Sequence, residues 1–226
     1  RRRFSTPPET DLTGKGADDM KKVLVLAPHT DDGELGCGGT VARLLEEGCE
    51  VHFAVFSTCA ESVPAGFPAD ELKMEFLSAM ESYGIPAEQL ILFDFQVRHF
   101  PAHRQEILEE LVRLNRRIVP DLVLAPSLHD VHQDHHTIAE EAIRAFKRTS
   151  ILGYEEPWNN LTFNNQVYVT LEERHVEKKI AAVERYISQR GRIYASGEYI
   201  RALAMSHGVQ IGRQYAEVFE TERWIL

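Results

Sequence analysis

Short apolar runs alternate with stretches of helical periodicity along most of this chain, and this alternation limits its possible folds more than any other feature. Continuous apolar strands of four to six residues, separated by helices, are typical of a parallel sheet covered on both faces. The sequence therefore predicts an α/β fold with a mostly parallel sheet and helices on both faces. The predicted strands are 23–27, 51–56, 90–93 and 121–125, and the predicted helices lie near 38–48, 70–83, 103–118 and 135–148.

The remainder of the chain extends the same pattern. Weaker strand candidates lie at 150–154 and 166–170, two helical stretches at 172–190 and 196–207, and a further strand candidate at 213–220. Hydrophobic residues make up 43% of the chain, which is enough for a substantial core, and no repeat or low-complexity linker follows Met20. We therefore expect a single domain over residues 20–226.

The first nineteen residues differ from the rest. They begin with three arginines, are rich in Pro, Thr, Gly and Asp, and show no apolar periodicity. No apolar segment follows the arginines, as a secretory signal would require. Because Met20 directly precedes the first apolar run, we expect residues 1–19 to be a disordered N-terminal extension, either upstream sequence or an added segment.

The charge balance bears on the kind of partner. The chain has 25 Lys and Arg against 35 Asp and Glu, a formal net charge of -10, which argues against nucleic acid or an anionic membrane surface. No apolar run approaches the roughly 20 residues that span a bilayer. Three cysteines without a framework spacing indicate reduced thiols. We expect a cytoplasmic protein that acts on a small molecule, with a homo-oligomer left open.

Two polar clusters follow the first and fourth predicted strands. His29, Asp31 and Asp32 come directly after residues 23–27, and the segment 129–136 holds four of the ten histidines together with two aspartates. In open α/β sheets, ligands bind outside the carboxyl ends of the strands. We therefore expect the two clusters to lie side by side at one edge of the sheet.

The two clusters have two other interpretations, as helix caps or as part of a dinucleotide site. The aspartates could simply cap the helices that follow, where the helix dipole favours negative charge. A dinucleotide site would need its glycines immediately after the strand and an acid at the end of the second strand. Here the glycines at 33, 36, 38 and 39 come late, and Glu61 is the first acid after the second strand. Two acid and imidazole clusters at one sheet edge favour a metal ion instead.

The donor set narrows the choice of metal. Histidine and carboxylate donors without thiolate suit Zn²⁺, or Fe²⁺, Mn²⁺ or Co²⁺ in its place, whereas calcium and magnesium prefer oxygen ligands. In a near-extended loop the side chains of Asp31 and Asp32 should diverge, so that one binds the metal and the other faces its water. That division of labour is typical of metal-assisted hydrolysis.

These motifs carry a resemblance to a known family. The family is that of the PIG-L/LmbE-like N-deacetylases. Its first signature, A-H-P-D-D-x(5,6)-G-G, resembles "APHTDDGELGCGG", and its second, H-P-D-H, resembles "PSLHDVHQDHHTIAEEA". The tail over 192–220 is similar to the family's closing segment. The resemblance runs from about Lys21 to about Glu220. It implies a Rossmann-like zinc hydrolase that removes acetyl from an N-acetylglucosamine-type sugar or glycoconjugate.

The resemblance also implies a role for six residues: His29, Asp32 and His135 bind the metal, Asp31 is the general base, a protonated His132 stabilises the oxyanion, and Asp134 orients His132. An amidohydrolase acting on a non-sugar N-acyl compound is the alternative. A catalytically inactive metal- or carbohydrate-binding relative is less favoured, because such a protein would be expected to have lost Asp31 or His132, and both are present.

Further residues are candidates for substrate contacts. Asp94 and Arg98 follow the third strand and offer hydroxyl and anion binding, and Trp158 offers a stacking surface for a sugar. The alternatives are that Arg98 pairs with a surface acid and that Trp158 packs under a loop. Two positions depart from the family pattern, since Thr30 and Gln133 stand where proline is usual. Neither position supplies a ligand.

Overall fold

Residues 21–225 form one seven-stranded sheet with six α-helices. The computed structural model describes residues 21–225, so the prediction made for residues 1–19 lies outside the described residues. The strands are β1 (Lys22–Ala27), β2 (Glu50–Val55), β3 (Leu90–Leu92), β4 (Leu122–Pro126), β5 (Ser150–Tyr154), β6 (Val167–Leu171) and β7 (Tyr215–Arg223). The helices are α1 (Asp32–Glu46), α2 (Glu71–Tyr83), α3 (Arg104–Ile118), α4 (Gln133–Ala145), α5 (Glu173–Val183) and α6 (Gly197–Gln210).

The sheet is mostly parallel, which confirms the predicted fold class. Its strand order is β3-β2-β1-β4-β5-β7-β6, and only β7 runs against its neighbours. The first two strands in the chain, β1 and β2, pair in parallel, and β4 pairs with the opposite edge of β1. The strand order therefore reverses between β1 and β4, which opens a crevice outside their carboxyl ends.

Alternating side chains of the central strand fill two separate cores. Val23 and Val25 point into the core under α1, α2 and α5, whereas Leu24 and Leu26 point into the core under α3 and α4. All four side chains are fully buried. Because successive side chains of a strand face opposite sides of the sheet, a strand covered on both faces reads as a continuous apolar run. This is why the sequence signal for β1 was strong.

The first helix differs from its prediction. It begins at Asp32 rather than near residue 38, and it is interrupted at Cys37, whose φ of -140° is not helical. A Cβ atom on Gly36 would lie 2.2 Å from the ring of Tyr154, so glycine allows this turn to approach β5 closely. The glycines weaken the helical signal in the sequence, but tertiary contacts hold both halves of the helix in place.

A buried ion pair supports the second half of α1. The Glu217 carboxylate on β7 accepts from the backbone N–H groups of Gly39 and Thr40, at 3.0 and 2.6 Å. The Lys179 ammonium on α5 donates to Glu217 at 2.6 Å and to the carbonyl of Leu35 at 2.7 Å. The pair therefore links β7, α5 and both halves of α1 just behind the loop that follows β1.

No helix within residues 21–225 has the length and apolar character that crossing a membrane requires.

Replacing Lys179 tests how much this pair contributes to stability. Lys179→Met leaves the Glu217 carboxylate buried without its cation, so we expect the free energy of unfolding to fall by about 3–5 kcal/mol. Urea unfolding followed by circular dichroism measures this. The matched control is Arg113→Met, which removes an exposed pair with Glu110 and should cost less than about 1 kcal/mol. Equal losses in the two variants would contradict the prediction.

Candidate metal centre

Three side chains from the two polar clusters converge at the crevice between β1 and β4. His29 lies in the loop after β1, Asp32 is the first residue of α1, and His135 lies in the first turn of α4. Nδ1 of His29 lies 3.1 Å from Nε2 of His135 and 3.1 Å from Oδ2 of Asp32. Nε2 of His135 lies 3.2 Å from the same oxygen, so the three atoms form a nearly equilateral triangle.

The outer nitrogens of both histidines face carboxylates. Nε2 of His29 lies 3.1 Å from Oδ2 of Asp134, and Nδ1 of His135 lies 2.8 Å from Oδ2 of Asp130. An ionised carboxylate only accepts hydrogen bonds, so each outer nitrogen carries a proton and donates it. In the neutral rings, the two inner nitrogens then present lone pairs to each other and to Asp32. Only a proton or a cation between them removes this repulsion.

The pKa values show the same demand for positive charge. Burial lowers the pKa of His29 and of His135, but the charge of Asp32 and the hydrogen bonds to neighbouring carboxylates together outweigh it. The pKa of His29 is therefore raised, and that of His135 lies well above its usual value. Burial likewise opposes ionisation of Asp32, but the two histidines hold its pKa well below the usual range. The cluster therefore favours a negatively charged Asp32 with a cation beside it.

The spacing of the three atoms fits a divalent ion. Bonds of about 2.0–2.2 Å in a tetrahedral zinc site separate neighbouring ligand atoms by roughly 3.3 Å. Two more side chains offer ligand atoms close by. A ring nitrogen of His132 lies within 4.8 Å of those of His29 and His135, and a Glu156 carboxylate oxygen lies within 4.8 Å of ligand atoms of Asp32 and His135. The carboxylates behind both histidines match the arrangement that orients metal-binding imidazoles.

Asp31 differs from its neighbour Asp32 in the pKa of its carboxyl group. Its backbone is near-helical, with φ of -104° and ψ of -10°, so the expectation of a near-extended loop was wrong: this residue already begins the turn into α1. Burial, followed by the charge of Asp32, raises the pKa of Asp31 to about 6, although Arg192 lowers it. The two adjacent carboxyl groups thus have pKa values pushed apart, which is the usual mark of different tasks.

His132 caps the N-terminus of α4. Its Nδ1 accepts a hydrogen bond from the backbone N–H of Asp134 at 3.2 Å, so this nitrogen carries no proton. Burial and the neighbouring His135 and His29 lower the pKa of His132, which favours the neutral ring. The expected protonated His132 is therefore replaced by a neutral ring with its proton on Nε2. That N–H remains a hydrogen-bond donor.

The expected contact between the Asp134 carboxylate and the His132 ring is not found. Asp134 instead contacts His29 and accepts from the backbone N–H groups of Arg98 and Phe100. Asp130 takes over part of the expected role, because its Oδ1 accepts from the backbone N–H of His132 at 2.7 Å. Sequence reasoning placed Asp130 in the cluster without giving it a role, because nothing in the spacing shows which ring each carboxylate meets.

The converging residues form the floor of a cavity of about 260 Å³. Of the three predicted substrate contacts, Arg98 and Trp158 line this cavity, whereas Asp94 does not. The Asp94 carboxylate, two residues after the end of β3, accepts from the hydroxyl of Thr58 at 2.9 Å. One face of Trp158 is covered by Tyr194, with ring centroids 4.1 Å apart. This contact supports the packing alternative for part of the indole.

Two buried oxygen atoms of cavity-lining residues have no hydrogen-bond partner within the described chain. Glu156 is buried after β5, and its Oε1 has no hydrogen-bond partner. Burial and the charge of Asp32 raise the pKa of Glu156 well above its usual value. The hydroxyl of Thr30 is also buried in the wall without a partner. Sequence reasoning missed Glu156, although "YEEPWNN" follows a strand, because that segment was read for its tryptophan.

Comparisons with known proteins identify the family and agree with this fold. Residues 24–146 match the PIG-L family, described as GlcNAc-PI de-N-acetylase. The chain is 27% identical over 178 residues to the uncharacterized deacetylase YaiS of Escherichia coli strain K12, covering 76% of this chain and 94% of that protein. It is 26% identical over 224 residues to the diacetylchitobiose deacetylase of Thermococcus kodakarensis, covering 88% and 82%.

A solved structure shows the same architecture. The N,N'-diacetylchitobiose deacetylase from Pyrococcus horikoshii superposes with a TM-score of 0.77 at 24% identity, over 94% of this chain and 87% of that one. At this level of identity the likeness establishes the fold alone.

Three histidine and aspartate variants rank the contributions to metal binding. His135→Ala removes a corner of the triangle and should weaken zinc binding most. Asp130→Asn removes the carboxylate behind that ring, a change that typically costs roughly 10- to 100-fold in affinity. His136→Ala changes an exposed neighbour outside the triangle and is the control, expected to match the unaltered protein. Zinc content after equilibrium dialysis gives the ranking, and equal content in all three variants would contradict the site.

Proposed function

The chain belongs to the PIG-L family, and from this premise we propose that it is a metal-dependent N-deacetylase that hydrolyses the acetamido group of an amino sugar or glycoconjugate. One observation carries the proposal. Three acceptor atoms that need a cation lie on the floor of a cavity, directly beside the half-buried carboxyl group of Asp31, whose pKa is raised. The curated relatives named for deacetylation support the same reaction.

We assign the metal to His29, Asp32 and His135. Zinc fits this donor set, and ferrous iron, manganese or cobalt fit the same imidazole and carboxylate ligands. When bound, such an ion lowers the pKa of a water molecule and polarises the amide carbonyl. Asp134 and Asp130 hold the two imidazoles in the tautomers that turn a lone pair toward the ion.

Asp31 is the general base in this proposal. Its carboxylate lines the cavity and is raised in pKa to about 6, close to the value that suits a base working near neutral pH. It accepts a proton from the attacking water as the water oxygen bonds to the amide carbon. The same proton then passes to the amine nitrogen as the carbon–nitrogen bond breaks, leaving a free amine and acetic acid, which loses its remaining proton to give acetate.

His132 stabilises the negative charge that develops on the carbonyl oxygen. Because its Nδ1 is occupied by the backbone N–H of Asp134, the Nε2–H of the neutral ring is the donor available to the substrate. A donor held in place before the reaction acts without reorganisation, and losing one typically costs about 10²–10³ in rate. Oxyanion stabilisation here does not require a charged imidazole.

The cavity favours a monosaccharide-sized group. Its volume of about 260 Å³ lies just under the range of roughly 300–1,000 Å³ that is usual for ligand pockets. Polar side chains of the cavity wall, such as Asn159 and Arg192, offer hydrogen bonds to a hydroxylated ring. The diacetylchitobiose deacetylase of Thermococcus kodakarensis is named for an N-acetylated sugar, which supports the same substrate class for this chain.

The adjacent aspartates provide the sharpest test of the assigned roles. Asp31→Asn should retain bound zinc but lose about 10²–10⁴ in kcat, because the proton acceptor is removed. Asp32→Asn should lose zinc itself. Parallel measurement of metal content and acetate release separates the two effects. If Asp31→Asn lost the metal while Asp32→Asn kept it, the two assignments would be reversed.

Substrate preference is the second test. We expect acetate release from N-acetylglucosamine-type sugars with kcat/KM at least tenfold higher than from N-acetyl amino acids, a discrimination of about 1.4 kcal/mol in transition-state binding. Steady-state kinetics on both compound classes, with zinc-loaded protein, checks this ratio. A preference for acyl amino acids would favour the non-sugar amidohydrolase instead.

A further inference from the structure

Arg98 adopts a backbone conformation that its residue type disfavours. Its φ is +69°, in the left-handed region that costs non-glycine residues free energy. Two hydrogen bonds hold it there. Its backbone N–H donates to the Asp134 carboxylate, and its carbonyl accepts from the Nε2 amide of Gln133 at 2.9 Å. The conformation of the loop at Arg98 therefore depends on the first turn of α4.

Arg98 lines the cavity, and its side chain is exposed. The guanidinium makes no hydrogen bond or ion pair with any residue in the described range 21–225. Arg192, the other arginine in the wall, donates to the Tyr194 hydroxyl. The nearby Asp134 carboxylate is already occupied by the Arg98 backbone and by His29. The loop thus presents an unneutralised cation beside the candidate catalytic residues.

We propose that Gln133 is a positioning residue that holds the Arg98 guanidinium at the cavity wall, where it binds an anionic group carried by the substrate beyond its acetamido group. The inference rests on the proposed function for the identity of the reacting group. An exposed guanidinium recognises carboxylate and phosphate oxygens through paired N–H donors, so these oxyanions are the chemical class it fits. Gln133 acts only through the backbone of Arg98.

Proline at position 133 would remove the hydrogen bond between the Gln133 side chain and the Arg98 carbonyl. Gln133 is the first residue of α4, where proline is well tolerated because no helical N–H bond is lost. The preceding residue, His132, has φ of -72° and ψ of 122°, an extended conformation compatible with a following proline. Proline cannot donate to the Arg98 carbonyl, so Gln133→Pro removes this one hydrogen bond while respecting the helix. Gln133→Ala is a second variant with the same loss.

Binding of the amine product tests the proposal independently of turnover. Isothermal titration calorimetry of the zinc-loaded protein compares glucosamine, glucosamine 6-phosphate and muramic acid, which carry no anion, a phosphate and a carboxylate. We expect one or both anionic sugars to bind about tenfold more tightly than glucosamine. That ratio should fall toward one in Arg98→Ala, in Gln133→Pro and in Gln133→Ala. Which anionic sugar shows the ratio identifies the oxyanion.

The double variant and a surface control separate positioning from general damage. Arg98→Ala combined with Gln133→Pro should lose no more preference than Arg98→Ala alone, because Gln133 acts through Arg98. Gln105→Ala removes a comparable exposed hydrogen bond, to Glu109 on α3, and should keep the full ratio. An unaltered protein without anion preference, or a ratio unchanged in Gln133→Pro and Gln133→Ala, would overturn the inference.

Kinetics distinguish this inference from the proposed function. With N-acetylglucosamine 6-phosphate or N-acetylmuramic acid, the loss in the Gln133 variants should appear as a higher KM with kcat little changed, since the group affected is remote from the reacting bond. Anion preference that depends on Gln133 in a protein releasing no acetate from any of these sugars would refute the deacetylase proposal while leaving the role of Gln133 intact.

Discussion

The mutual repulsion of three acceptor atoms organises the functional end of this protein. His29, Asp32 and His135 bring two nitrogen lone pairs and a carboxylate oxygen within 3.1–3.2 Å of one another. Nothing but positive charge makes that arrangement favourable inside a protein, because burial strengthens the repulsion along with every other electrostatic interaction. The fold accepts this cost at one place, the crevice where the strand order reverses between β1 and β4.

The surrounding carboxylates maintain this arrangement by dividing their tasks. Asp130 and Asp134 accept hydrogen bonds from the outer N–H groups of the two imidazoles, which turns the inner lone pairs toward Asp32. Asp134 also anchors the loop at Arg98, so the same side chain links the metal-binding cluster to the cavity wall. A change at this aspartate would therefore be expected to affect both the orientation of His29 and the shape of the substrate cavity.

Particular residues show what could be predicted from the sequence and why. The strands were predictable because β1 and its neighbours are apolar on both faces, and a parallel sheet requires that pattern. The meeting of the two polar clusters was predictable because parallel strands end at one edge, and the family resemblance selected His29, Asp32 and His135 from them. The start of α1 was predicted six residues late, since a glycine-rich segment has weak helical propensity, and the contacts of Glu217 and Tyr154 come from distant parts of the chain.

The sequence by itself determined the fold class, the family and the set of residues that meet at the sheet edge, because those depend on local patterns and on strand order. Only the tertiary structure decided which carboxylate faces which ring, that Nδ1 of His132 accepts from the backbone N–H of Asp134, that Asp94 lies off the cavity and that Glu156 lines it. These outcomes depend on hydrogen-bond geometry and on how side chains pack around the cavity. The periodicity and spacing of residues in a sequence do not specify hydrogen-bond partners or side-chain packing, whereas the packed backbone of the folded protein does.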